Sequence, residues 1–273
     1  MARSILTIVT LATVLAMAAG CQLVVPSESE LSGGAKPAPS AGDGGALPEA
    51  GGGGTTGDGG DSASGVRLVQ QTTAQAASAR SLAIALPNAT ASGSALVLTS
   101  GSIESTPVSV SGGGARWTQL SASAQHVALA VWFGLVDPGQ LPGEVVVTFA
   151  SSPDPAQPAV GLHLAEWSGL AALSSSTLND PARTALAAGG GDPISTRPLI
   201  VPDRAGLVFA AAAGHNFAIG APSAGFVPVQ SVETGDLRLV AAYKLAPPAG
   251  SYSTSWTYPT TDSWDAHIDA FMK

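Results

Sequence analysis

The chain has one cysteine in 273 residues. It therefore has no intramolecular disulfide framework and no cysteine-rich zinc site. Charged residues are also sparse, at 11%, beside 33 Gly and 20 Pro. That balance excludes a coiled coil or a long-helix bundle, which need charged, glycine-poor heptads. Lys and Arg number 11 against 19 Asp and Glu, for a net charge of −8. No basic surplus exists to replace phosphate counterions, so nucleic acid is excluded as a partner. Two motifs are missing as well: the G-x-S-x-G elbow of a serine hydrolase and the D-x-[DN]-x-[DN]-G calcium loop.

The N-terminus opens with a sustained apolar run. Ile5–Ala19 is uncharged and 15 residues long, behind Arg3. A bilayer-spanning helix takes about 20 residues, so this run reads as the apolar core of a secretory signal. Small residues follow it: Ala18, Ala19 and Gly20, then Cys21. This tetrad resembles the lipobox of bacterial lipoproteins, with Ala18 where leucine is usual. The resemblance implies cleavage after residue 20 and lipid attachment at Cys21, the only cysteine. Each buried methylene adds about 0.8 kcal/mol, so two or three acyl chains hold a protein stably where one does not. Gln22 in place of Asp implies sorting to the outer membrane in a two-membrane bacterium.

Residues 21–66 read as a lipidated cysteine and a tether. Positions 22–66 hold 13 Gly, including Gly51–Gly54, and almost no large side chain. Such a segment cannot bury enough apolar area to offset its ordering entropy. As a flexible coil it has an r.m.s. reach of roughly 35–40 Å. Its acidic residues, Glu28 to Asp61, are opposed only by Lys36.

Residues 67–273 read as a single β-sandwich domain. Short apolar stretches recur every ten to fifteen residues between Gly, Pro, Ser and Asp, a pattern of sandwich strands. Expected strands include Ala95–Thr99, Trp117–Ala122, His126–Val136, Val160–Trp167, Gly206–Ala212, Leu237–Leu245 and Trp264–Met272. Several alternate with period two, one face apolar and one polar. His126–Val136 and Gly206–Ala212 are apolar on both faces, which places them centrally, covered by a loop or helix. Ala74–Ala79 and Asn179–Ala188 fit short helices. Leu178–Pro193, with Gly189–Gly191, is the best internal break and reads as a long loop.

A second resemblance lies in the order of several phrases. Leu162–Gly169 (LHLAEWSG), Gly206–Ala211, Ala224–Phe226, Ala241–Lys244, Pro248–Ser253 and Ser263–Phe271 occur in sequence. They resemble an extracellular β-sandwich module of bacterial surface proteins. The resemblance covers most of 67–273 and implies an antiparallel, two-sheet, jelly-roll-like sandwich; it supplies no catalytic residues.

The chemistry-bearing residues are few. Asp265, His267 and Asp269 lie at alternate positions of the last strand, on one face, and could approach a ligand or cation together; the plain reading is a solvated polar face. His163 and Glu166 are three apart in a strand and point to opposite faces, so they cannot chelate one ion without a bulge. No metal site and no cofactor follow. Glu166 shares a face with Val160, Leu162 and Leu164 and reads as a buried acid, bonded by Arg116, Arg197, Arg238 or backbone N–H groups. Thirteen carboxylates serve 67–273, and glycoside hydrolysis needs two of them about 5–9 Å apart. Trp117, after Gly112–Gly114 and Arg116, is the aromatic best placed for partial exposure. Tyr252, Trp256 and Tyr258 form a stripe that reads as core. The expectation is a lipid-anchored, non-catalytic binding module for a glycan or an envelope protein at the cell surface. The competing classes are a polysaccharide hydrolase and a purely structural envelope component.

Overall fold

The computed structural model describes residues 65–123, 127–140, 143–150, 159–171, 184–190, 193–223, 225–259 and 262–273. Cys21, the signal and positions 22–64 of the tether lie outside them; Val66, read as the end of the tether, is instead buried in the core with Leu207 and Phe271. All described residues fall within one compact unit. Its architecture is all-β and antiparallel, with no helix among the described residues.

The first half of the unit contributes eight strands: β1 (Arg67–Ala76), β2 (Ser81–Ile84), β3 (Ala95–Ile103), β4 (Pro107–Gly112), β5 (Ala115–Ala122), β6 (Val127–Val136), β7 (Val145–Phe149) and β8 (Val160–Ser168). They form a five-stranded sheet ordered β1-β8-β3-β6-β5 and a three-stranded sheet ordered β2-β7-β4. The chain passes back and forth between the two, as in a jelly roll. Ile84, Val145, Val147 and Phe149 of the smaller sheet pack on Leu96, Leu98, Trp132, Leu162 and Leu164 of the larger.

The second half repeats this plan. Its strands are β9 (Thr184–Gly190), β10 (Ile194–Ser195), β11 (Leu199–Val201), β12 (Ala205–His215), β13 (Val227–Pro228), β14 (Val232–Thr234), β15 (Leu237–Leu245), β16 (Gly250–Tyr252), β17 (Ser255–Trp256) and β18 (Ser263–Met272). One sheet runs β9-β18-β12-β15, with β13 and β14 on the far side of β15. Two short ladders, β10-β17 and β11-β16, cover it, and Pro222 bridges to Trp256. With β10 and β11 taken as one interrupted strand, likewise β13 with β14 and β16 with β17, and with the single Pro222 bridge to Trp256 standing in the place of a fourth strand, the order is the same. First, eighth, third, sixth and fifth strands make the large sheet; second, seventh and fourth make the cover.

Register confirms the equivalence. Across β3, Val97 faces Phe133 and Ala165, and Thr99 faces Val131 and His163. Across β12, Phe209 faces Tyr243 and Asp269, and Ala211 faces Ala241 and His267. His163 and His267 therefore hold the same place in the two halves. The residue after each third strand is left-handed, Glu104 at φ 57° and Asn216 at φ 70°.

The large sheets of the two halves pack face to face. Val97, Leu129, Val131, Phe133 and Trp167 meet Phe209, Ala211, Leu237, Leu239 and Phe271. The contacts are reciprocal. Phe133 stacks on Phe271 with ring centroids 5.4 Å apart, and the equivalent pair, Tyr243 and Trp167, meets at 5.0 Å. Residue i touching j' and i' touching j is the mark of a two-fold relation. Both faces of β6 and β12 are thus buried, which is why their sequences are continuously apolar. Short strands cover their outer faces, where a loop or helix was expected.

Three local expectations change. The segment read as a helix over Ala74–Ala79 stays extended through Ala76, in β1. The C-terminal part of Asn179–Ala188 is β9, paired with β18, and its earlier residues lie outside those described. The face of β18 read as solvated is not solvated: Asp265, His267 and Asp269 are 0%, 0% and 2% exposed. They share the side of β18 that bears Phe271, so the pairing of two apolar sheets takes them into the core between the halves.

Candidate functional site

A cleft of about 320 Å³ lies in the first half. It opens where the three-stranded sheet leaves the larger one. Its floor is aliphatic, made by Leu86, Leu96, Val145 and Leu164, and Asn88, Thr90 and Glu144 stand around it. A shallower recess shares Gly113, Gly143 and Glu144 with it and adds Asp137 and Gln140.

One wall is the β4–β5 hairpin. Gly112, Gly113 and Gly114 all have positive φ, at 86°, 69° and 64°, a geometry glycine adopts without steric cost. The hairpin also lies too close to its neighbours for side chains. A Cβ at Gly112 would fall 2.0 Å from the Glu144 carbonyl oxygen, and one at Gly113 2.8 Å from Val145 Cγ2. Gly113 N–H donates to the Glu144 carbonyl at 3.0 Å. Trp117 locks the hairpin from behind. Its Nε1–H donates to the Gly112 carbonyl at 2.9 Å, and its ring lies on Gly134, where a Cβ would sit 2.9 Å from Cε3. The indole is half-buried, and it shapes the hairpin. Arg116 is exposed and pairs with Asp137 at 3.0 Å, so its charge is screened and weakly held.

The opposite wall is the β2–β3 connection, residues 85–94. Glu166 holds it. The carboxylate is 1% exposed and shares the face of β8 that bears Leu162 and Leu164. Its Oε1 accepts the Ala91 N–H at 3.0 Å and its Oε2 accepts Gln70 Nε2–H at 2.6 Å. Gln70 in turn treats Asn88 as a strand partner: Oε1 accepts the Asn88 N–H at 2.9 Å, and Nε2 donates to the Asn88 carbonyl at 3.0 Å. The partners are thus a backbone N–H and a glutamine. None of Arg116, Arg197 or Arg238 is among them.

The remaining ionisable side chains in the core are inward-facing. Burial lowers His163 to about 4; its Nε2–H donates to Gln71 Oε1 at 3.1 Å and its ring stacks on Phe209. Burial likewise lowers His267 to about 4, against a hydrogen bond to the Leu129 carbonyl that favours the proton. Asp265 is pushed up to about 8 by burial, partly offset by a hydrogen bond from the Ala266 backbone. Asp265, His267 and Asp269 share a face without converging: among the described residues no group of three His, Cys, Asp or Glu is placed to hold a metal. A second recess, of about 220 Å³, lies at the edge of the second half beside Arg238, Glu233 and Trp256.

Sequence reasoning reached Glu166, Arg116 and Trp117. It missed Gln70, Asn88 and Glu144. Their only signals were polar residues in an edge strand and two loops, which the sequence holds in many places. Comparison with known proteins returns no matching family model, no similar curated protein and no similar solved structure.

Proposed function

We propose that the chain is a lipid-anchored envelope protein whose β-sandwich is a non-catalytic binding module, with the cleft of the first half as its glycan site. One observation carries the reading. The cleft joins an aliphatic floor to a polar rim between two walls that are fixed by hydrogen bonds. Sugars present both surfaces, C–H patches for the floor and hydroxyls for side-chain amides and carboxylates such as Asn88 and Glu144. Preformed concave sites with a few placed polar groups are the usual form of small-ligand recognition. The non-catalytic assignment rests on Glu166. Both of its oxygens are committed to holding a wall, so it is not free to act as an acid over a scissile bond.

The test uses the intact lipidated chain in mild detergent, with insoluble polysaccharides and purified envelope, in calcium and in chelator. Saturable co-sedimentation without released sugar is expected, weakened about tenfold or more by Glu144→Ala, a loss typical of one charged hydrogen bond. Released reducing sugar would overturn the non-catalytic reading. Retention by purified envelope proteins alone would move the assignment to a protein partner. The anchor is tested separately: Cys21→Ser should abolish labelling by radioactive palmitate and membrane retention.

A further inference from the structure

We propose that Glu166 and Gln70 are positioning residues, which hold the Asn88–Ala91 wall in its ligand-accepting shape, and that the molecule carries this site once although its fold is duplicated. The proposal rests on the reading of the cleft as a glycan site.

The second half serves as an internal control. Its last strand aligns with that of the first through His267 and His163, which places Ala270 where the first half has Glu166. Ala270 packs among aliphatic and aromatic side chains. The matching connection differs as well. The first half spends residues 85–94 between β2 and β3, whereas the second closes β11 to β12 with residues 202–204. The same fold therefore forms without the long connection and without a buried carboxylate.

That comparison removes the structural reason for Glu166. A buried charge is costly unless fully hydrogen-bonded, and losing one partner strands it. The first half keeps a buried carboxylate and matches it to the connection through five hydrogen bonds, three of them between Gln70 and one residue, Asn88. The connection so held contributes Leu86, Asn88 and Thr90 to the cleft. The carboxylate fixes the shape of a wall, and the fold does not need that wall. In the second half the place of Glu166 is apolar and the connection is too short to build one. A two-fold molecule is thus monovalent.

The test is made on the intact chain with Glu166→Gln and Gln70→Ala. Glu166→Gln keeps the side chain's size but turns an amide NH2 toward a donor. Gln70→Ala lies on an edge strand and leaves Glu166 in place. Two measurements are taken: amide hydrogen exchange, and calorimetric titration with chitotetraose and cellotetraose as probes. The expected wild-type stoichiometry is one sugar per chain. Each variant should speed exchange of the Asn88 and Ala91 amides and weaken binding, both by about tenfold or more, while amides of β12 and β18 exchange as in wild type. Two sugars per chain would overturn the monovalent assignment. Variants that free the two amides yet bind as wild type would overturn the positioning role and leave the glycan reading standing. Exchange that rises throughout β12 and β18 would return Glu166 to a general folding role. A wild type that binds neither sugar and no insoluble polysaccharide overturns the glycan reading, and the positioning role with it.

Discussion

Three buried side chains, His163, His267 and Asp265, give the protein a pH dependence with two opposing slopes. In the unfolded chain a histidine takes up a proton below about 6.5, while in the folded chain His163 and His267 resist until about 4. Each therefore lowers stability as pH falls from 6.5 to 4, by about 3 kcal/mol in all. Asp265 acts in the other direction. Unfolded, it loses its proton above about 3.8; folded, it holds the proton up to about 8. Stability accordingly falls by about 1.4 kcal/mol per unit as pH rises through that window. Between 4 and 6.5 the two histidines outweigh the one aspartate, and between 6.5 and 8 the aspartate acts alone. Unfolding free energy measured against pH should peak near 6.5, and Asp265→Asn should flatten the limb from 6.5 to 8. A limb unchanged by that substitution would show that Asp265 is already ionised in the folded protein.

At the scale of elements, the β4–β5 hairpin and β6 are coupled through a glycine. The Trp117 ring occupies the space over Gly134, and its Nε1–H reaches the Gly112 carbonyl. Gly134→Ala should displace the indole, lose that hydrogen bond and cost about 1–3 kcal/mol by overpacking. Near-ultraviolet circular dichroism and the denaturation midpoint would report both. Gly113→Ala should be worse, since it adds a left-handed φ of 69° to a 2.8 Å contact with Val145. If glycan affinity survives either change, the hairpin is not a wall of the binding site. The strand pattern itself was legible from the sequence. Leu237–Leu245 and Tyr252–Tyr258 alternate and turn their apolar faces inward as expected. Residues 184–190 were not legible as a strand, because a run of alanine and glycine carries no period of two to read.

At the scale of the molecule, the core between the halves is the largest structural dependence. It is sealed by the reciprocal pairs Phe133–Phe271 and Tyr243–Trp167. Phe271→Ala should cost about 3–5 kcal/mol. It should also lower the barrier to separating the halves, seen as faster exchange on the inward faces of both β6 and β12. A chain cut after residue 171 would expose Val97, Leu129, Val131 and Phe133 together, and should aggregate or dimerise rather than stay monomeric. A soluble, monomeric first half would show that its large sheet does not need the second.

The sequence by itself determined what depends on neighbours along the chain. Alternation, turn residues and continuous apolar runs set the strands, the all-β class and the central places of β6 and β12, because side-chain direction in a strand follows from position alone. It also determined that Glu166 faces an apolar neighbourhood. The tertiary structure decided everything that depends on which surfaces meet. Asp265, His267 and Asp269 form a polar stripe by pattern. They are buried because that face of β18 lies against the other half, a fact no local period encodes. The duplication was hidden for the same reason. The two halves share large-sheet strand order and register, a likeness of pairing that no local pattern carries. Glu166 acquired its partners, Gln70 and the Ala91 amide, 96 and 75 residues away. Only folding brings such distant positions within a hydrogen bond.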